Sequence, residues 1–524
     1  MKKIFAILLS TFTFLLFADF CKAQYNVLYT FTSSTGQAPY GSLTLSGNML
    51  YGTTERGGAN SKGIIFSIHT DGSGYKDILD FNGTDGAYPE YGTLVLAANK
   101  LYGMTYMGGA HNYGCVFSID TNGSNYTDLL DFNGTNGQYP EASLIYVSGV
   151  LYGMTPNGGA HGGGCVFSLD TNGTGYKDLY DFNTPTGYAP AGSLTVSGKK
   201  LYGMAENGGA YNYGAIFSLD TAGGGYTDLF DFNNTDGYNA RGTLTLSEGK
   251  LYGGVQSGTY GYGRIFSIDT NGTGYTDLLN FNSTNGSILV GQLMLSGSQL
   301  FGMTFYGGAN NIGTILSIDT NGTGLKNWIS FNNTSYPEGK YPEGSVTLSG
   351  NTLYGMTSSG GAGYGIIFSL STCSITATYS VTAGIGCHGD SNGSAIVTAT
   401  NGTPPFTYSW STNPVQTNAH ATGLKAGTYT VTVKDSNGCV AVVPVTITQP
   451  ASLGDSMFST CATCCNCKGT TIDSIYGGTK PYTFLWSNGG TTDTLTGLPG
   501  GSYTCTVTDA KGVYKNRYCL GPSW

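Results

Sequence analysis

The sequence predicts an all-β protein: a seven-bladed β-propeller followed by two small Ig-like β-sandwich modules. A five-residue word, typically Leu-Tyr-Gly-Met-Thr, recurs about every fifty residues, which is the length of one four-stranded propeller blade. Its aromatic residue is Tyr51, Tyr102, Tyr152, Tyr202, Tyr252, Phe301 and Tyr354. Glycine (84 residues) and tyrosine (39) are abundant while only 10% of residues are charged, which favours short strands and tight turns. After residue 372 the word is lost, so a different kind of domain is expected there.

The second copy shows how one repeat would form a blade. Alternating apolar residues predict strands at residues 92–96, 100–105, 114–120 and 126–132. Ser-Gly or Ala-Asn turns join the first pair of strands, and Thr-Asn-Gly joins the last pair, where glycine and asparagine accept a positive φ. Each repeat is therefore predicted to be a four-stranded meander.

The count of strands predicts how the ring closes. The first three strands occur seven times after residue 40, but only six copies of the fourth strand follow them. Residues 25–31 repeat the pattern of residues 126–132 and precede the first full repeat. We therefore expect the N-terminal strand, residues 25–32, to be the outer strand of the last blade.

The recurring words LYGMT, GGA, G-x-IFS-IDTNG and DFN resemble the GloVer (gloeo/verruco) tandem repeat of exported bacterial proteins. The resemblance covers about residues 25 to 370 and implies a surface or secreted location, but no chemistry, because that family is defined by its repeats. A second resemblance, to the Asp-box of sialidase-like propellers, is carried by Ser118, Asp120, Gly123 and Tyr126 and implies a hairpin turn between the third and fourth strands.

The Asp-Thr-Asn-Gly loops have two interpretations. Their carboxylate and amide oxygens could bind calcium. The interpretation that we favour is that they cap a tight hairpin through their own backbone. The pairs are Asp120 and Asn122, Asp170 and Asn172, Asp269 and Asn271, and Asp319 and Asn321.

The chain is expected to be exported. Residues 1–23 predict a signal peptide, because Lys2 and Lys3 precede an apolar stretch that ends in Cys-Lys-Ala. No later stretch has the about 18 apolar residues of a membrane-spanning helix. A net charge of -9, without runs of lysine or arginine, argues against nucleic acid as a partner. We expect a cell-surface or extracellular location, reached through surface-export machinery, with residues 24–372 forming the propeller.

Residues 387–397, 402–410 and 427–439 form a series that resembles the SprB-type repeat of gliding-motility and surface adhesins in Bacteroidetes-like bacteria. Similar words return at 477–486 and 500–509, so two modules are expected, at 373–450 and 451–524. Alternating strands around one central tryptophan suit an Ig-like sandwich in each. Cys387 and Cys439 lie at opposite ends of the first series, and we expect a disulfide between them in an exported chain.

The remaining cysteines carry two further hypotheses. Cys461, Cys464, Cys465 and Cys467 have a spacing that could bind zinc or an iron cluster, but export favours disulfides, with Cys505 and Cys519 as further partners. Cys115 and Cys165 occupy the strand position that Ile64, Ala215 and Ile366 fill in other repeats, which favours a small apolar strand residue. A copper radical site formed by Cys115 with Tyr113, His111 and His161 is the less favoured alternative. We therefore predict no metal and no cofactor.

The candidate ligand-binding face consists of the loops that enter the first strand and leave the second strand of each blade. Tyrosines beside carboxylates could stack on sugar rings or form a protein-binding surface. The alternative is that these tyrosines pack between blades. The residues are Tyr88, Glu90, Tyr106, His111, Tyr113, Tyr139, Glu141, Tyr211, Tyr213, Tyr260 and Tyr262.

We expect a non-enzymatic binding or adhesion protein whose propeller face takes a glycan or protein ligand. Paired catalytic carboxylates, a nucleophile elbow and a phosphate-binding loop are not recognisable, so no catalytic residue is predicted. The alternatives are a secreted carbohydrate-active or oxidase-type propeller enzyme and a purely structural surface module. An enzyme would concentrate unlike residues in one pocket, whereas a binder can use a repeated face.

Overall fold

The computed structural model describes residues 25–183, 187–258, 260–332, 339–373, 375–436, 438–460, 469–499 and 501–520. The described residues form β-strands, turns and loops, and contain no helix. None of their elements could cross a membrane as a helix. The chain divides into two compact units, one of which is Ala23–Thr372 and the other of which includes Cys373–Trp524. The all-β class predicted from the repeat is confirmed.

The described residues of the first unit form seven antiparallel sheets of four or five strands with the same plan, and one two-stranded sheet. The N-terminal strand is β1 (Tyr25–Thr30). Sheet 1 contains β2 (Thr44–Ser46), β3 (Met49–Thr54), β4 (Ile64–His69) and β5 (Lys76–Asp80). Sheet 2 contains β6 (Val95–Ala97), β7 (Lys100–Thr105), β8 (Cys115–Asp120) and β9 (Thr127–Asp131). Sheet 3 contains β10 (Ile145–Val147), β11 (Val150–Thr155), β12 (Cys165–Asp170) and β13 (Lys177–Asp181).

The later sheets follow in chain order. Sheet 4 contains β14 (Thr195–Ser197), β15 (Lys200–Ala205), β16 (Ala215–Asp220) and β17 (Thr227–Asp231). Sheet 5 contains β18 (Thr245–Ser247), β19 (Lys250–Val255), β20 (Arg264–Asp269) and β21 (Thr276–Asn280). Sheet 6 contains β22 (Ser287–Leu289), β23 (Met294–Ser296), β24 (Gln299–Tyr306), β25 (Thr314–Asp319) and β26 (Lys326–Ser330). A two-stranded pair, β27 (Gly339–Lys340) with β30 (Ser359–Gly360), lies beside sheet 7, which contains β28 (Thr347–Ser349), β29 (Thr352–Thr357), β31 (Ile366–Ser371) and β1.

Sheet 7 is built from both ends of the unit. Strand β1 pairs antiparallel with β31, with Tyr25 opposite Leu370 and Val27 opposite Phe368. The strand order is β1-β31-β29-β28, so β28 is the inner strand and β1 is the outer strand. The first and last parts of the unit are thereby held in one sheet.

The apolar core lies between neighbouring sheets. Between sheets 2 and 3, Met104 and Val116 of one sheet pack in one cluster with Leu151 and Phe167 of the next. The glycine of the Leu-Tyr-Gly word is needed for this packing, because a Cβ at Gly103 would lie 2.6 Å from the ring of Phe117. The tyrosine-glycine word and the Ile-Phe-Ser word are therefore one packing unit.

The Asp-Phe-Asn and Gly-Gly-Ala words also act together. Asp131 at the end of β9 accepts a hydrogen bond through Oδ1 from the amide of Ala110, at 2.8 Å, in the loop that joins β7 to β8. The same bond joins Asp181 to Ala160 at 2.8 Å and Asp231 to Ala210 at 2.9 Å. The outer strand thus fixes the loop between the two middle strands.

The Asp-Thr-Asn-Gly hairpins bind their own backbone. In the β8–β9 hairpin, Asn122 Oδ1 accepts hydrogen bonds from the amide (2.9 Å) and the hydroxyl (2.7 Å) of Ser124. Asp120 binds Asn125 at 2.6 Å and forms an ion pair with Lys100 at 3.0 Å. These contacts are those of the capping interpretation, and they use the oxygens that a calcium site would need.

The part of the second unit that the structure describes contains two modules, each of two three-stranded sheets. In the first module, β32 (Thr376–Ala383), β33 (Gly393–Thr400) and β35 (His420–Leu424) form one sheet, and β34 (Thr407–Trp410), β36 (Gly427–Lys434) and β37 (Val440–Ile447) form the other. In the second module, β38 (Gly454–Thr460), β39 (Gly469–Tyr476) and β41 (Thr494–Leu498) form one sheet, and β40 (Thr483–Trp486), β42 (Ser502–Thr508) and β43 (Tyr514–Leu520) form the other. Trp410 and Trp486 are the buried tryptophans of the two modules.

The predicted disulfide between Cys387 and Cys439 is wrong. Cys439 is bonded to Cys373, with the two Cα atoms 5.3 Å apart, and Cys387 is a free thiol. The reason is the length of the strands: Cys373 precedes β32 and Cys387 follows it. The neighbours of Cys387, His388 and Gly389, bind Pro450 and Gln449 beyond the far end of β37, whereas Cys439 precedes the start of that strand.

Candidate functional site

A cavity of about 930 Å³ lies where the inner strands of the seven sheets meet. Every sheet contributes to its wall, including Leu43, Val95, Ile145, Val196, Leu246, Met294 and Val346. A cavity of this size can enclose a small ligand or one or two side chains of a larger one. The candidate site is therefore centred on this axis.

Hydroxyl groups join the sheets around the cavity. In six of the seven steps around the cavity, including the step from sheet 7 to sheet 1, the amide of a residue just before the inner strand donates to a serine or threonine hydroxyl of the next sheet. The bonds run from Ser42 to Thr93 (3.3 Å), Thr93 to Ser143 (2.7 Å), Ser143 to Ser193 (2.8 Å), Ser193 to Thr243 (3.0 Å), Gln292 to Ser345 (2.6 Å) and Ser345 to Ser42 (2.7 Å). Gln292 takes the place of the hydroxyl residue in sheet 6.

The entrance of the cavity is formed by unlike residues at equivalent positions. Four residues before the inner strand, the seven sheets carry Tyr40, Tyr91, Glu141, Ala191, Arg241, Val290 and Glu343. All of them except Tyr40 line the cavity, and Tyr40 stacks on Tyr91 with ring centroids 5.4 Å apart. We call these seven residues, together with Glu55, Arg56, Glu90, Glu206, Ile288 and Phe305, the mouth.

Arg241 is the charged centre of the mouth. Its guanidinium forms ion pairs with Glu141 of sheet 3 and, at 3.3 Å, with Glu206, which follows β15 of sheet 4. Burial opposes its charge, but the two carboxylates outweigh burial and raise the pKa of Arg241. Three sheets are therefore joined electrostatically at this point.

Two further carboxyl groups of the mouth resist ionisation. Burial, followed by repulsion from Glu55 and Glu141, raises the pKa of Glu90 to about 7. Burial also raises the pKa of Glu343 to about 7, against a hydrogen bond from Ser358 and with added repulsion from Glu55 and Glu90. These groups come from sheets 1, 2, 3 and 7 and lie close enough for their charges to interact, and Glu141 and Glu343 also line the cavity.

The pKa values of the stacked Tyr40 and Tyr91 are also raised by burial and by the carboxylates nearby. Burial, then the charges of Glu343 and Glu55, raise the pKa of Tyr40 to about 12. The pKa of Tyr91 is also raised, mainly by burial and then by Glu343 and Glu90. Both phenols are therefore neutral hydrogen-bond donors at physiological pH, which suits the binding of polar oxygen or nitrogen groups.

The side of the mouth formed by sheet 6 is mainly apolar, with Gln292 and Tyr306 as the polar residues that sheet 6 adds to the cavity wall. Ile288, Val290 and Phe305 line the cavity there, and Phe305 packs against Tyr341 with centroids 5.2 Å apart. No carboxylate from sheet 6 lines the cavity in the part of the chain that the structure describes. The mouth thus has an acidic side and an apolar side.

The structure brings together only part of the predicted ligand-binding face. Glu90 and Glu141 belong to the mouth. Tyr106 and Tyr113 both pack on Tyr139, at 5.1 Å and 5.5 Å, so these three rings form a cluster between sheets 2 and 3. That packing matches the alternative interpretation of the tyrosines.

The other predicted residues lie on the outer loops of the same end. Tyr211, Tyr260 and Tyr262 are exposed, with Tyr260 at 65% of its full accessibility, and His111 is exposed as well. Tyr213 is half-buried beside Tyr238, at 5.8 Å, and Tyr88 is half-buried with a left-handed φ of 56°. They are not part of the mouth.

Sequence reasoning missed Tyr40, Tyr91, Glu206 and Arg241. Arginine occurs once at its position, and tyrosine and glutamate occur only twice at theirs, whereas the predicted face was drawn from residue types that recur more often. The signal for Tyr40, Tyr91 and Arg241 is the variable position four residues before the inner strand, which precedes a nearly constant Gly-Ser/Thr-Leu pattern, and Glu206 lies outside that position.

The cysteines of the first unit are not arranged for metal chemistry. Cys115 and Cys165 are buried in β8 and β12, where they contact Thr105 and Thr155, and burial raises the pKa of both thiols to about 12. Among the described residues, no group of three or more His, Cys, Asp or Glu side chains could hold a metal ion. Cys461, Cys464, Cys465 and Cys467 lie outside the described residues, and so does the side chain of Cys519.

Comparison with known proteins gives one family. The model described as the Gloeobacter/Verrucomicrobia repeat matches residues 15–199, 146–299 and 254–413. No curated protein sequence matches the chain.

Several solved structures show a weak likeness to the chain. A nidogen/laminin complex aligns at 16% identity and a TM-score of 0.33, covering 46% of this chain and 80% of that one. The tricorn protease aligns at 10% identity and a TM-score of 0.35, covering 92% of this chain and 44% of that one. The β-propeller domain of the Trilobed protease from Pyrococcus furiosus aligns at 11% identity and a TM-score of 0.35, covering 55% and 80%.

Proposed function

Because the chain belongs to the Gloeobacter/Verrucomicrobia repeat family, we propose that it is an exported, non-catalytic binding protein built on a seven-bladed β-propeller. Its ligand, a glycan or a protein at the cell exterior, binds at the mouth of the axial cavity. Seven sheets of one plan and the ring of hydroxyl bonds around the axis support the propeller. The two C-terminal modules act as Ig-like, SprB-type spacers or adhesive elements.

The observation that carries this proposal is the variation within the mouth. Seven positions that are equivalent in the fold hold tyrosine, tyrosine, glutamate, alanine, arginine, valine and glutamate. A purely structural ring would need only residues that satisfy the common geometry. Neutral phenols, paired charges and an apolar wall around one cavity instead provide the mixture of contacts with which ligand sites achieve specificity.

The test is a binding screen of the full chain on arrays of glycans and of peptides. Val290→Trp places a large ring in the entrance and should abolish the binding seen for the wild-type chain. Leu325→Trp is the matched control, because Leu325 is exposed in the β25–β26 hairpin at the other end of sheet 6. Retention of wild-type binding by Val290→Trp, with both variants folded by calorimetry, would place the ligand elsewhere.

One observation supports an enzymatic alternative. Glu90 and Glu343 have pKa values of about 7, near the value at which a carboxylic acid is most useful as a general acid or base. Turnover of a polysaccharide or peptide panel, lost in Glu90→Gln or Glu343→Gln, would establish this alternative and overturn the non-catalytic proposal. We expect no turnover.

A further inference from the structure

The two C-terminal modules share a strand plan but differ in how the first and last strands are joined. In the first module, a disulfide connects Cys373, just before β32, to Cys439, just before β37. The register of the strands places Ala451 and Val513 at the equivalent positions of the second module. This disulfide therefore has no counterpart at the same place in the second module.

Close to those positions, the first and last strands of the second module carry an aspartate and a lysine that touch. Lys515 of β43 places Nζ 3.4 Å from Oδ1 of Asp455 in β38. The side chain of Asp455 is only 2% exposed, and that of Lys515 is 38% exposed. In the first module, both equivalent residues are alanine, Ala377 and Ala441. The second module thus has a reactive pair of side chains between the two strands that the first module joins covalently.

Beside this pair lies a carboxyl group without a hydrogen-bond partner. Asp473 of β39 is 2% exposed, and neither of its side-chain oxygens accepts a hydrogen bond within the part of the chain that the structure describes. It is opposite Met457, two residues after Asp455, so the two aspartates are on the inner face of one sheet. The equivalent residue of the first module is Val397.

The surroundings of Asp473 favour the neutral acid. A carboxylate that is buried without a partner loses its hydration and gains no hydrogen bond in return. Burial, followed by the charge of Asp455, raises the pKa of Asp473 and outweighs the opposing effects of Cys505 and Arg517. The core of the module therefore contains an acid that can donate a proton beside Asp455.

Arg517 fixes the carboxyl group of Asp455. Its Nε donates hydrogen bonds to both carboxylate oxygens, at 2.9 Å to Oδ1 and 3.0 Å to Oδ2. The Asp455 carboxyl group is thereby held next to Lys515 Nζ. The positive charge of Arg517 also lies beside the oxygens on which negative charge would develop if a nucleophile attacked the carboxyl carbon.

We propose that Lys515 and Asp455 form an intramolecular isopeptide bond, with Asp473 as the proton carrier. Within the ion pair, the ammonium gives a proton to the carboxylate, which yields an amine and a carboxylic acid. The amine nitrogen attacks the carboxyl carbon of Asp455, so that a C–N bond forms, one C–O bond breaks and water leaves. Asp473 protonates the departing hydroxyl group, takes up the proton that the nitrogen releases, and ends unchanged.

The bond joins the first strand of the second module to its last strand, as the disulfide does in the first module, but it is insensitive to reductants. The reaction needs no oxidant or other reactant. It occurs once in each chain and is therefore distinct from turnover of a substrate. The inference is independent of the ligand proposed for the mouth.

The test is a peptide map of the full chain after reduction, alkylation and digestion with trypsin. The bond predicts that residues 435–468 and 512–517 are recovered as one branched peptide, uncut at Lys515 and one water molecule lighter than the two peptides together. Reduction removes disulfides, so only an amide can keep the two segments joined. Separate peptides, cut at Lys515, from the wild-type chain would overturn the inference without the need for any variant.

Variants test the role of each side chain. Lys515→Arg keeps the positive charge beside Asp455 and should give no branched peptide. Asp473→Asn keeps the shape of the side chain without its acidic proton and should give at least tenfold less branched peptide than the wild type. Asp493→Asn is the matched control, because Asp493 is exposed just before β41 of the same module, and it should be joined like the wild type.

A urea titration shows that each variant is folded before its peptide map is interpreted. Complete joining in folded Asp473→Asn would overturn the role of Asp473 as the proton carrier. A loss in Asp493→Asn equal to that in Asp473→Asn would mean that joining follows the general stability of the module, and it would overturn that role as well.

Discussion

In the outer part of the seven sheets the same side chains recur, whereas the residue four positions before each inner strand changes from sheet to sheet. Asp131, Asp181 and Asp231 form the same bond to the same loop in three successive sheets. At the mouth, the same three sheets contribute three different residues, Tyr91, Glu141 and Ala191. We call the residues that recur from sheet to sheet, such as Asp131, Asp181 and Asp231, the frame.

The difference shows which constraint acts on each region. A residue of the frame must satisfy a loop or a core contact that recurs from sheet to sheet. A residue of the mouth lies at or beside the cavity and makes no contact that every sheet repeats. Substitutions in the frame should therefore change stability, and substitutions in the mouth should change binding more than stability.

The largest effect is expected where the frame holds a buried charge. Arg264 is only 2% exposed at the start of β20, where Ile64 and Ile366 occupy the first and last sheets. Its guanidinium pairs with Asp277 at 2.6 Å and donates to the carbonyl of Thr235 at 2.6 Å. Arg264→Ile should lower the free energy of unfolding by about 3 kcal/mol, because it strands both partners. The measurement is a urea titration of the full chain.

The control for this prediction is an ion pair of the same sheet that faces water. Lys250 and Asp269, at 2.7 Å, are both substantially exposed. Lys250→Ala should leave the urea midpoint unchanged. Wild-type stability in Arg264→Ile would show that this position tolerates any residue that fills it, and the distinction between frame and mouth would lose its strongest example.

A smaller loss is expected where the frame keeps its rule. Asp131→Ala removes the acceptor for the Ala110 amide and should lower the free energy of unfolding by about 1 kcal/mol in a urea titration. Asp131→Asn keeps the oxygen and also removes repulsion of Asp128, whose pKa is raised to about 6 by burial and then by Asp131. The asparagine variant should therefore be at least as stable as the wild type at pH 7, and a loss equal to that of alanine would contradict the capping role.

The mouth should respond to pH instead. Glu343 has a pKa of about 7 in the folded chain and 4.5 as its ordinary value, so the folded state holds the proton more tightly. Its contribution to stability is complete below pH 4.5 and is lost as the pH rises to 7. Glu343→Gln removes that loss and should be more stable than the wild type by about 1 kcal/mol at pH 8, after allowance for partial exposure, and equal to it at pH 4.

Urea midpoints of Glu343→Gln and Glu248→Gln between pH 4 and 8 provide the measurement and its control. Glu248 lies exposed in a hairpin, so its variant should follow the wild type at every pH. A pH-independent difference for Glu343→Gln would mean that the side chain acts through its shape and not through its charge.

Repetition in the sequence explains why much of the fold of the first unit could be predicted. The glycine of the Leu-Tyr-Gly word and the phenylalanine of the Ile-Phe-Ser word contact each other in the same way in sheet after sheet, as Gly103 and Phe117 do. Seven copies of one pattern average out local ambiguity between strand and loop. In the C-terminal unit there are only two related modules, and the pairing of Cys439 could not be found because it depends on which end of β32 carries the partner.

The site was only partly predictable for the opposite reason. Glu90 and Glu141 were found because they stand in a Tyr-Pro-Glu word that recurs. Arginine occurs once and tyrosine twice at the position of Arg241 and Tyr91, and their proximity to Glu141 and Glu343 follows from the arrangement of sheets 1 to 7 around one cavity. Arg241 is 100 positions from Glu141 and Tyr91 is 252 positions from Glu343, so their convergence leaves no local pattern in the chain.

The smallest effect is expected in the hairpins at the end opposite the mouth. Asn122→Ala removes two hydrogen bonds from Ser124 in an exposed turn and should lower the free energy of unfolding by about 0.5 kcal/mol, because water replaces them. Asn122→Asp keeps the acceptor oxygen and should cost less than alanine in the same urea titration. A loss of stability as large as that of Arg264→Ile would mean that the hairpin also binds a metal ion. In that case a chelator would lower the urea midpoint of the wild type but not that of Asn122→Ala. If the turn only caps its own backbone, the chelator will change the midpoint of neither chain.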